Sequence, residues 1–224
     1  MFLPELTKNT FFQNMNDSEI TSVLHILHAK TCAYSKNSPI FFEGDKTDFM
    51  GIVLRGSTRI ERIDYQGNRS ILAHIKEGEL FAESYALLSQ APLMVDVVAN
   101  TDCEILFLNL KRVECEKAKT ASWYSTLIMN LLKISNRKNL ALSSRSFHTL
   151  SRHVRGRILS YLQAQANQHA SYSFDIPFNR QQMADYLNVD RSALSNELCK
   201  MRDEGLLVFR KNHFEFMGKY NRKV

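Results

Sequence analysis

The chain has 224 residues, of which 44% are hydrophobic and 23% are charged. This composition is typical of a globular protein with one large domain or two small ones. No run approaches the roughly 18 apolar residues of a membrane-spanning helix, and the first residues lack the basic and apolar regions of a signal peptide. We therefore expect a cytoplasmic protein with no membrane partner.

The formal net charge of +6 is unevenly distributed along the chain. Residues 145–224 contain 13 Lys and Arg against 7 Asp and Glu, whereas residues 1–144 contain 16 of each class. A basic C-terminal part beside a neutral N-terminal part indicates a polyanionic partner for the C-terminal part alone. On charge alone, a basic solvated face without a partner is an open alternative.

The four cysteines, Cys32, Cys103, Cys115 and Cys199, are far apart and form no CxxC or Cys/His motif. We therefore expect no metal and no other cofactor, and a disulfide framework is not expected in a cytosolic chain of this size. The pattern favours four small, partly buried apolar side chains. A redox role for the Cys103/Cys115 pair is the alternative.

The first zone of the chain, up to about residue 107, is predicted to begin with an amphipathic helix that opens at residues 16–19. Short strands follow at residues 39–42, 51–54, 58–63, 70–75, 95–98 and 103–108. Glycines punctuate this zone every 11 to 12 residues, and Gly67 is placed in a hairpin turn. Regular short strands separated by turns indicate an antiparallel sandwich or small barrel rather than a parallel sheet.

The second zone, residues 112–146, contains neither Gly nor Pro and is predicted to form one long helix. Leu127, Leu131 and Ile134 follow the 4-3 spacing of a coiled-coil seam, which weakens beyond Ile134. This stripe favours a helix that joins two copies of the chain. Purely intramolecular packing is the alternative.

The third zone begins with a predicted amphipathic helix at residues 150–166 and an extended segment at residues 174–178. Residues 179–204 then have the pattern of a helix-turn-helix. Asn179 and Gln182 have the spacing of a capping box, Asn188 tolerates the left-handed conformation of a tight turn, and Asp190 caps the next helix.

The second of these helices presents a polar face suited to the DNA major groove. Leu194 and Leu198 point to the core one turn apart, so the small polar residues around them face outward. Arg pairs with guanine, Asn with adenine, and Ser with a base or a phosphate, while the helix N-terminus favours a phosphate oxygen. Gly205 ends the helix, and residues 206–216 are predicted to form a two-stranded wing with a basic tip.

Double-stranded DNA is therefore the expected partner of the third zone, with an ordinary helical hairpin as the alternative. The predicted DNA-binding residues are Arg180, Gln181, Asp190, Arg191, Ser192, Ser195, Asn196, Lys200, Arg210 and Lys211.

With these features the chain resembles the CRP/FNR family of bacterial transcription regulators over nearly its full length. Gly156-Arg157-Ile158 resembles the usual opening of the family's DNA-binding domain, and residues 176–181 and 188–192 resemble its helix-turn-helix signature. The resemblance implies an α+β fold in three parts. These are an N-terminal double-stranded β-helix or jelly-roll of the cyclic-nucleotide-binding type (1–111), a long dimerisation helix (112–146) and a C-terminal winged helix-turn-helix (147–224).

The resemblance also implies a regulator rather than an enzyme. We expect a homodimer that contacts RNA polymerase and binds an inverted repeat whose half-sites lie one helical turn, roughly 34 Å, apart. On the recognition helix Ser195 matches the oxygen-type regulators, but Ser192 replaces their Glu and Asn196 replaces their Arg. The operator is therefore expected to differ from theirs.

The effector pocket implied by the resemblance consists of Phe81, Ala82, Glu83, Ser84, Leu93 and Met94. Glu83 matches the acid that contacts the ribose of a cyclic nucleotide, but Ala82 replaces a glycine. Leu93 and Met94 stand where Arg-Ser holds the cyclic phosphate, so the desolvation of that phosphate would be uncompensated. We expect no tight binding of cyclic AMP or cyclic GMP. The motifs of iron–sulfur and haem members are also missing, which leaves a pocket with an apolar wall for an uncharged effector, or for none.

Two other interpretations stay open. A cupin-like metal enzyme would need two or three histidines and a carboxylate on paired strands, but the strand region offers only His74, and His25 and His28 lie on the first helix. A protein-binding sensor or scaffold would use the winged domain to contact protein rather than DNA. Charge reversal at Arg191 and replacement of Asn196 would distinguish that scaffold from a DNA reader.

Overall fold

The structure is a computed structural model that describes residues 6–63, 65, 69–88 and 91–217. It divides into two compact units, Met1–Asn136 and Arg137–Val224, each with its own core. The hairpin turn predicted at Gly67 lies outside the described residues. No helix in the described part of the chain is both long and apolar enough to cross a bilayer.

The first unit contains two antiparallel four-stranded sheets. One has the order β1-β8-β3-β6, formed by β1 (Lys30–Tyr34), β3 (Phe49–Arg55), β6 (Leu80–Phe81) and β8 (Cys103–Asn109). The other has the order β2-β7-β4-β5, formed by β2 (Pro39–Phe41), β4 (Thr58–Ile63), β5 (Arg69–Ile75) and β7 (Asp96–Ala99). The predicted antiparallel sandwich and the jelly-roll architecture are confirmed.

The first sheet is covered on both faces. On β8, Ile105 and Phe107 point into a core shared with the second sheet, whereas Leu106 and Leu108 point into a core shared with the helices. Because successive strand residues face opposite sides, a strand buried on both sides needs an unbroken apolar run. β1 escaped prediction because it is an edge strand whose side chains are largely exposed, so it lacks such a run.

The N-terminal helices form the second core of this unit. A 3-10 turn (Thr10–Phe12) and α1 (Asp17–Ile26) bury Phe11, Phe12 and Ile20. The predicted start of α1 is confirmed, because Asn16 and Glu19 form a capping box with backbone-to-side-chain hydrogen bonds of 3.0 Å and 3.1 Å. Further along the chain, the short α2 (Glu83–Leu87) follows β6.

The prediction of one long helix over residues 112–146 places its start too early. The chain first forms a 3-10 helix (Leu110–Glu114) and the short α3 (Glu116–Lys119), and only then α4 (Tyr124–Thr149). Cys115 has an extended backbone, with φ −73° and ψ 151°, which interrupts the helical path. Trp123 is fully buried and donates a 2.9 Å hydrogen bond to Ser22 on α1. These long-range contacts fix bends that the lack of Gly and Pro does not reveal.

The second unit combines helices with a three-stranded antiparallel sheet of order β10-β11-β9. After α4 come α5 (Val154–His169), β9 (Ser173–Asp175), α6 (Arg180–Leu187), α7 (Arg191–Asp203), β10 (Leu207–Arg210) and β11 (His213–Phe216). The predicted wing is confirmed, and β9 extends it by one strand. The helix predicted over 150–166 starts at Val154 instead, because the chain bends sharply before it. A Cβ at Gly156 would overlap the Ser151 side chain, so this bend requires glycine.

Candidate nucleic-acid interface

Two helices joined by a tight turn carry the predicted DNA face. At the start of α6, Asn179 and Gln182 form reciprocal backbone-to-side-chain hydrogen bonds of 2.9 Å. Asn188 ends α6 in the left-handed conformation, with φ 52° and ψ 54°, so that the chain reverses. The Asp190 carboxylate then accepts hydrogen bonds from the first N–H groups of α7. The predicted helix-turn-helix and its caps are confirmed.

The core of the unit fixes which side of α7 faces outward. Leu194, Leu198 and Met201 are fully buried against α5 and α6. Ala184 on α6 is also fully buried, and its small side chain allows the two helices to pack closely. The opposite side of α7 is therefore presented to solvent.

The exposed side of α7 holds two kinds of polar group. Arg191, Asn196 and Lys200 are exposed, and none of their side chains forms a hydrogen bond or ion pair among the described residues. Lys200 lies close enough to Glu204 for its charge to help lower the pKa of that carboxyl. The Ser192 hydroxyl donates to Asp190, and the Ser195 hydroxyl donates to the Arg191 carbonyl at 2.9 Å. Because a phosphate oxygen needs a donor, these two serines offer DNA only their acceptor lone pairs. The contact of these two serines with a base or a phosphate stays a prediction.

Asp190 is a helix cap in this structure. Its carboxylate accepts hydrogen bonds from the Ser192 hydroxyl and from the N–H groups of Ala193 and Ser192, and these bonds lower its pKa below the ordinary value. A carboxylate that stays ionised repels phosphate and stabilises the helix N-terminus. Asp190 thus fixes the start of α7, and its predicted contact with DNA stays a prediction.

Arg180 ties α6 to the wing. Its guanidinium lies 5.1 Å from the ring centroid of Phe209 and 5.4 Å from that of Phe214, and it donates to the Lys211 carbonyl at 3.2 Å. Burial lowers the pKa of this guanidinium. Gln181, one residue further, is exposed and donates to Asp185 at 2.8 Å. Both predicted DNA contacts therefore have internal partners.

The tip of the wing presents Arg210 and Lys211, which are both exposed. A surface depression of about 500 Å³ lies between Lys211 and the N-terminus of α6 and includes Asn179 and Gln182 in its lining. The structure thus brings a cation close to a helix N-terminus, an arrangement that suits a phosphate group.

An ion cluster on α7 was missed by the sequence analysis. Arg155 on α5 donates to Glu197 at 2.6 Å and to both carboxylate oxygens of Glu204, at 2.8 Å and 2.6 Å. These hydrogen bonds raise the pKa of Arg155 and lower that of Glu204. Since the partners are separated by 42 and 49 residues, no local pattern indicates them.

Comparisons with known proteins divide the chain in the same way. A family described as the cyclic nucleotide-binding domain matches residues 31–114, and one described as the Crp-like helix-turn-helix domain matches residues 156–216. The chain belongs to the CRP/FNR family. It is therefore a DNA-binding transcription regulator, as its resemblance implied. No curated protein sequence matches the chain.

Solved structures of CRP/FNR-type regulators share this fold. The catabolite activator protein of Thermus thermophilus is 23% identical, with 93% of each chain covered and a TM-score of 0.50. The c-di-GMP responsive global regulator CLP of Xanthomonas campestris is 18% identical, with 91% of this chain and 100% of that chain covered and a TM-score of 0.56. CprK complexed with OCPA is 14% identical, with 89% and 91% covered and a TM-score of 0.66.

In this CRP/FNR regulator, the residues predicted to form the effector pocket separate into core and surface. Phe81 is 1% exposed, and its ring meets Phe41 and Phe107 edge to face at centroid distances of 6.1 Å and 6.4 Å. Leu93 is 2% exposed, whereas the neighbouring Met94 is 69% exposed. The expected apolar wall formed by Leu93 and Met94 together is wrong, because one side chain fills the core and the other faces solvent.

The start of α2 carries the other predicted pocket residues. Ala82 has φ 61° and ψ 11°, the left-handed conformation that favours the glycine of the family pattern. Glu83 is buried in the first turn of α2, and Ser84 is exposed.

The cysteines and histidines give little support to a redox role or to a metal enzyme. Burial, and next the charge of Asp102, raise the pKa of the Cys103 thiol, which disfavours the reactive thiolate. Cys115 is partly buried in the bend before α3. Among the described residues, no group of three or more His, Cys, Asp or Glu side chains is arranged to hold a metal ion.

The predicted dimer seam on α4 is used by the chain itself. Leu127, Leu131 and Ile134 are buried in the helical core of the first unit. Between them, Asn130 donates to the Phe11 carbonyl at 3.1 Å. For these three residues the intramolecular alternative is correct, because the stripe covers the outer face of the first sheet.

Proposed function

We propose that this regulator is a homodimer that reads an inverted-repeat operator through α7. The observation that carries the proposal is the set of uncommitted donors on the exposed side of that helix, Arg191, Asn196 and Lys200. Three exposed donors on one side of the same helix suit an external polyanion.

The three donors have different tasks in this proposal. Asn196 reads an adenine, because its amide can form a bidentate pair with N6 and N7. Arg191 stands at the first position of α7 and contacts a guanine or the adjacent phosphate. Lys200 lies two turns further along and contacts the phosphate backbone. Ser192 and Ser195 accept from cytosine or adenine amino groups, so the operator differs from one read by Glu and Arg.

The wing supplies a second phosphate contact. Lys211 lies beside the N-terminus of α6, where the backbone N–H groups and the helix dipole add to its charge. Arg210 is exposed on the same turn. These contacts fix the position of the domain on the duplex but carry no sequence information.

The proposed dimer uses the exposed side of α4. Met129, Leu132 and Leu140 are 49%, 52% and 71% exposed, and Phe147 is 66% exposed. At 3.6 residues per turn these four side chains lie on one side of the helix, opposite Leu127. A row of exposed apolar side chains on a helix of 26 residues suits a second copy of the same helix.

The β-roll domain is proposed to work without a cyclic nucleotide. Leu93, at the position of the phosphate-binding Arg, fills the core and offers neither charge nor hydrogen bond. We expect neither cyclic AMP nor cyclic GMP to bind with micromolar affinity in calorimetry, and the effector class that suits this apolar core is uncharged. RNA polymerase in the cytoplasm is the proposed protein partner.

Selection of bound duplexes from random DNA with the full chain tests the operator. The expected product is an inverted repeat with half-sites about 10 base pairs apart, centre to centre. Recovery of sequences without two-fold symmetry would contradict the homodimeric reading of the operator.

Light scattering tests the dimer surface. Leu140→Asp places a charge in the exposed row of α4 and is expected to produce monomers with weaker operator binding. Ser146→Asp, on the same helix but outside the row, is the matched control and should remain dimeric. A dimeric Leu140→Asp variant would show that the subunits meet elsewhere.

A further inference from the structure

The C-terminal end of α6 is held by two arginines. The carbonyl groups in the last turn of a helix have no partner within the helix. Here the Arg145 guanidinium donates from Nη2 and Nε to the carbonyls of residues 185 and 186, at 2.9 Å and 3.0 Å. Arg157 donates from Nη1 to the carbonyls of residues 187 and 188, at 3.1 Å and 2.7 Å. Four consecutive carbonyls at the turn are thus bound by side chains.

The position of these carbonyls gives the contacts their importance. Asn188 is the left-handed residue of the turn, and α7 begins three residues later at Arg191. Any tilt of the last turn of α6 therefore moves the N-terminus of α7. Cations at a helix C-terminus are also favoured by the helix dipole. The two arginines consequently fix the part of the chain from which the recognition helix departs.

Arg145 and Arg157 lie on different helices. Arg157 lies on α5, whereas Arg145 lies in the last turns of α4, the helix proposed to join the two subunits. Its guanidinium also lies 5.7 Å from the Tyr186 ring centroid. One turn later, His148 is buried against the rings of Tyr186 and Tyr161, at 6.1 Å and 5.7 Å. The end of α4 is thus attached to α6 by hydrogen bonds and by ring contacts.

We propose that Arg145 is a positioning residue for DNA recognition. Its guanidinium holds the last turn of α6 against the end of α4 and thereby sets the orientation of α7 in the major groove. Arg145 acts through the α6 carbonyls and not through a contact with DNA. This inference rests on the proposed reading of DNA by α7.

The test compares Arg145→Met with Arg137→Met in the full chain. Both variants remove one positive charge from α4 and keep a good helix former, but Arg137 is exposed and has no partner among the described residues. Binding is measured to the duplex recovered by selection and to a scrambled duplex of the same length, at several salt concentrations. Relative to Arg137→Met, we expect Arg145→Met to bind the operator about tenfold more weakly, the size of effect of one strong hydrogen bond.

Three readouts separate positioning from other roles. Affinity for the scrambled duplex should match that of Arg137→Met, because general folding and charge are the same. The slope of log affinity against log salt should be unchanged, since Arg145 neutralises no phosphate. Arg145→Lys, which retains a donor for one carbonyl, should recover part of the operator affinity. If Arg145→Met does not fold, Arg145→Lys carries the comparison, with a loss confined to the operator as the supporting result.

Other outcomes overturn the inference. Equal operator affinity of Arg145→Met and Arg137→Met would show that the hydrogen bonds of Arg145 do not position α7. An equal loss on both duplexes would indicate general destabilisation, and a shallower salt slope would indicate a direct phosphate contact. Arg191→Met in the same assay tests the underlying proposal separately. If Arg191→Met does not change operator affinity, the proposed reading of DNA by α7 is contradicted. If Arg191→Met lowers the affinity and Arg145→Met does not, only the positioning role of Arg145 is contradicted.

Discussion

The recognition helix and the start of α2 are the two predicted binding sites of this chain, and they differ in how their side chains are buried. On α7 the donors Arg191 and Asn196 are exposed and have no internal partner among the described residues. Around α2, Phe81 and Leu93 are almost fully buried and contribute to the core between the sheets. The polar side chains of α7 are thus exposed to solvent, whereas the centre of the predicted site around α2 is filled by side chains of the core.

The difference supports the proposal that this chain reads DNA through α7 and binds no cyclic nucleotide. The DNA face depends on caps and a turn within a stretch of about 25 residues, so a few local residues preserve it. A site for a cyclic nucleotide would need a cation next to the buried phosphate. Once an apolar residue replaces that cation, the same space is more stable when packed. The comparison therefore predicts binding defects from α7 and stability defects from the β-roll.

The largest expected effect comes from Phe81→Ala. Removing a buried aromatic ring should lower the free energy of unfolding of the first unit by about 3–5 kcal/mol. Trp123, the single tryptophan of the chain, is buried in this unit, so denaturant unfolding followed by its fluorescence measures the loss. Met94→Ala is the control and should change stability little, because that side chain is exposed. A stable Phe81→Ala variant with altered effector response would make this residue part of a ligand site.

Asn196→Ala is expected to weaken operator binding by about 1–3 kcal/mol and to relax base preference at one position of each half-site. Gln163→Ala, which removes an exposed amide from α5, should bind normally. Fluorescence anisotropy with operator duplexes that vary at each base measures both effects. Charge reversal by Arg191→Glu should abolish binding in the same assay. Normal DNA affinity in both α7 variants would favour the protein-binding scaffold instead.

Ala82→Gly should stabilise the first unit by about 0.5–1 kcal/mol. The alanine is held at a positive φ, which costs about 1–2 kcal/mol relative to glycine. The greater freedom of glycine in the unfolded chain offsets about 0.5–1 kcal/mol of this gain. Denaturant unfolding followed by Trp123 fluorescence measures the change. Destabilisation by Ala82→Gly would mean that the packing of the Ala82 methyl group contributes more free energy than the strained backbone costs.

The smallest expected effect is a pH dependence of the second unit. Burial lowers the pKa of His148, because its imidazolium is desolvated. Its Nδ1 lies 3.0 Å from Ser160 Oγ, and the groups around it are Arg145 on its own helix, Tyr161 on α5 and Tyr186 on α6, none of which compensates a positive charge. The folded unit therefore binds fewer protons than the unfolded chain. Its stability should be complete above the ordinary pKa of 6.5 and fall as the pH drops through the lowered pKa.

Thermal unfolding between pH 7.5 and pH 5 checks this expectation. His148→Asn retains an oxygen acceptor for Ser160 but does not titrate, so its profile should be flatter than that of the unchanged chain. Parallel profiles for the two proteins would assign the pH dependence to other groups.

The sequence predicted local features well and distant ones poorly. The bounds of α6 and α7 follow from Asn179, Asn188 and Asp190, whose capping roles depend on neighbours within three residues. By contrast, the start of α4 depends on Trp123 contacting α1, about 100 residues away in the chain. Arg145 meets its carbonyl partners across about 40 residues, so no periodic pattern could indicate it.

The same reasoning explains the errors about side-chain direction. Leu127 and its neighbours form an apolar stripe whether a helix packs on its own domain or on a twin, so spacing alone did not decide between them. Leu93 and Met94 are adjacent apolar residues, yet only the backbone path of the loop before β7 determines which one enters the core.

The ion cluster on α7 has a consequence for how quickly the regulator finds DNA. Glu197 and Glu204 would place two negative charges near the approaching phosphates if they were unpaired. Arg155 binds both carboxylates and offsets one of their two charges, so the positive charges of the exposed Arg191 and Lys200 are opposed less strongly. A more positive DNA-facing surface accelerates encounter with DNA at low ionic strength. In stopped-flow measurements, Arg155→Met should therefore lower the association rate constant more than it raises the dissociation rate constant.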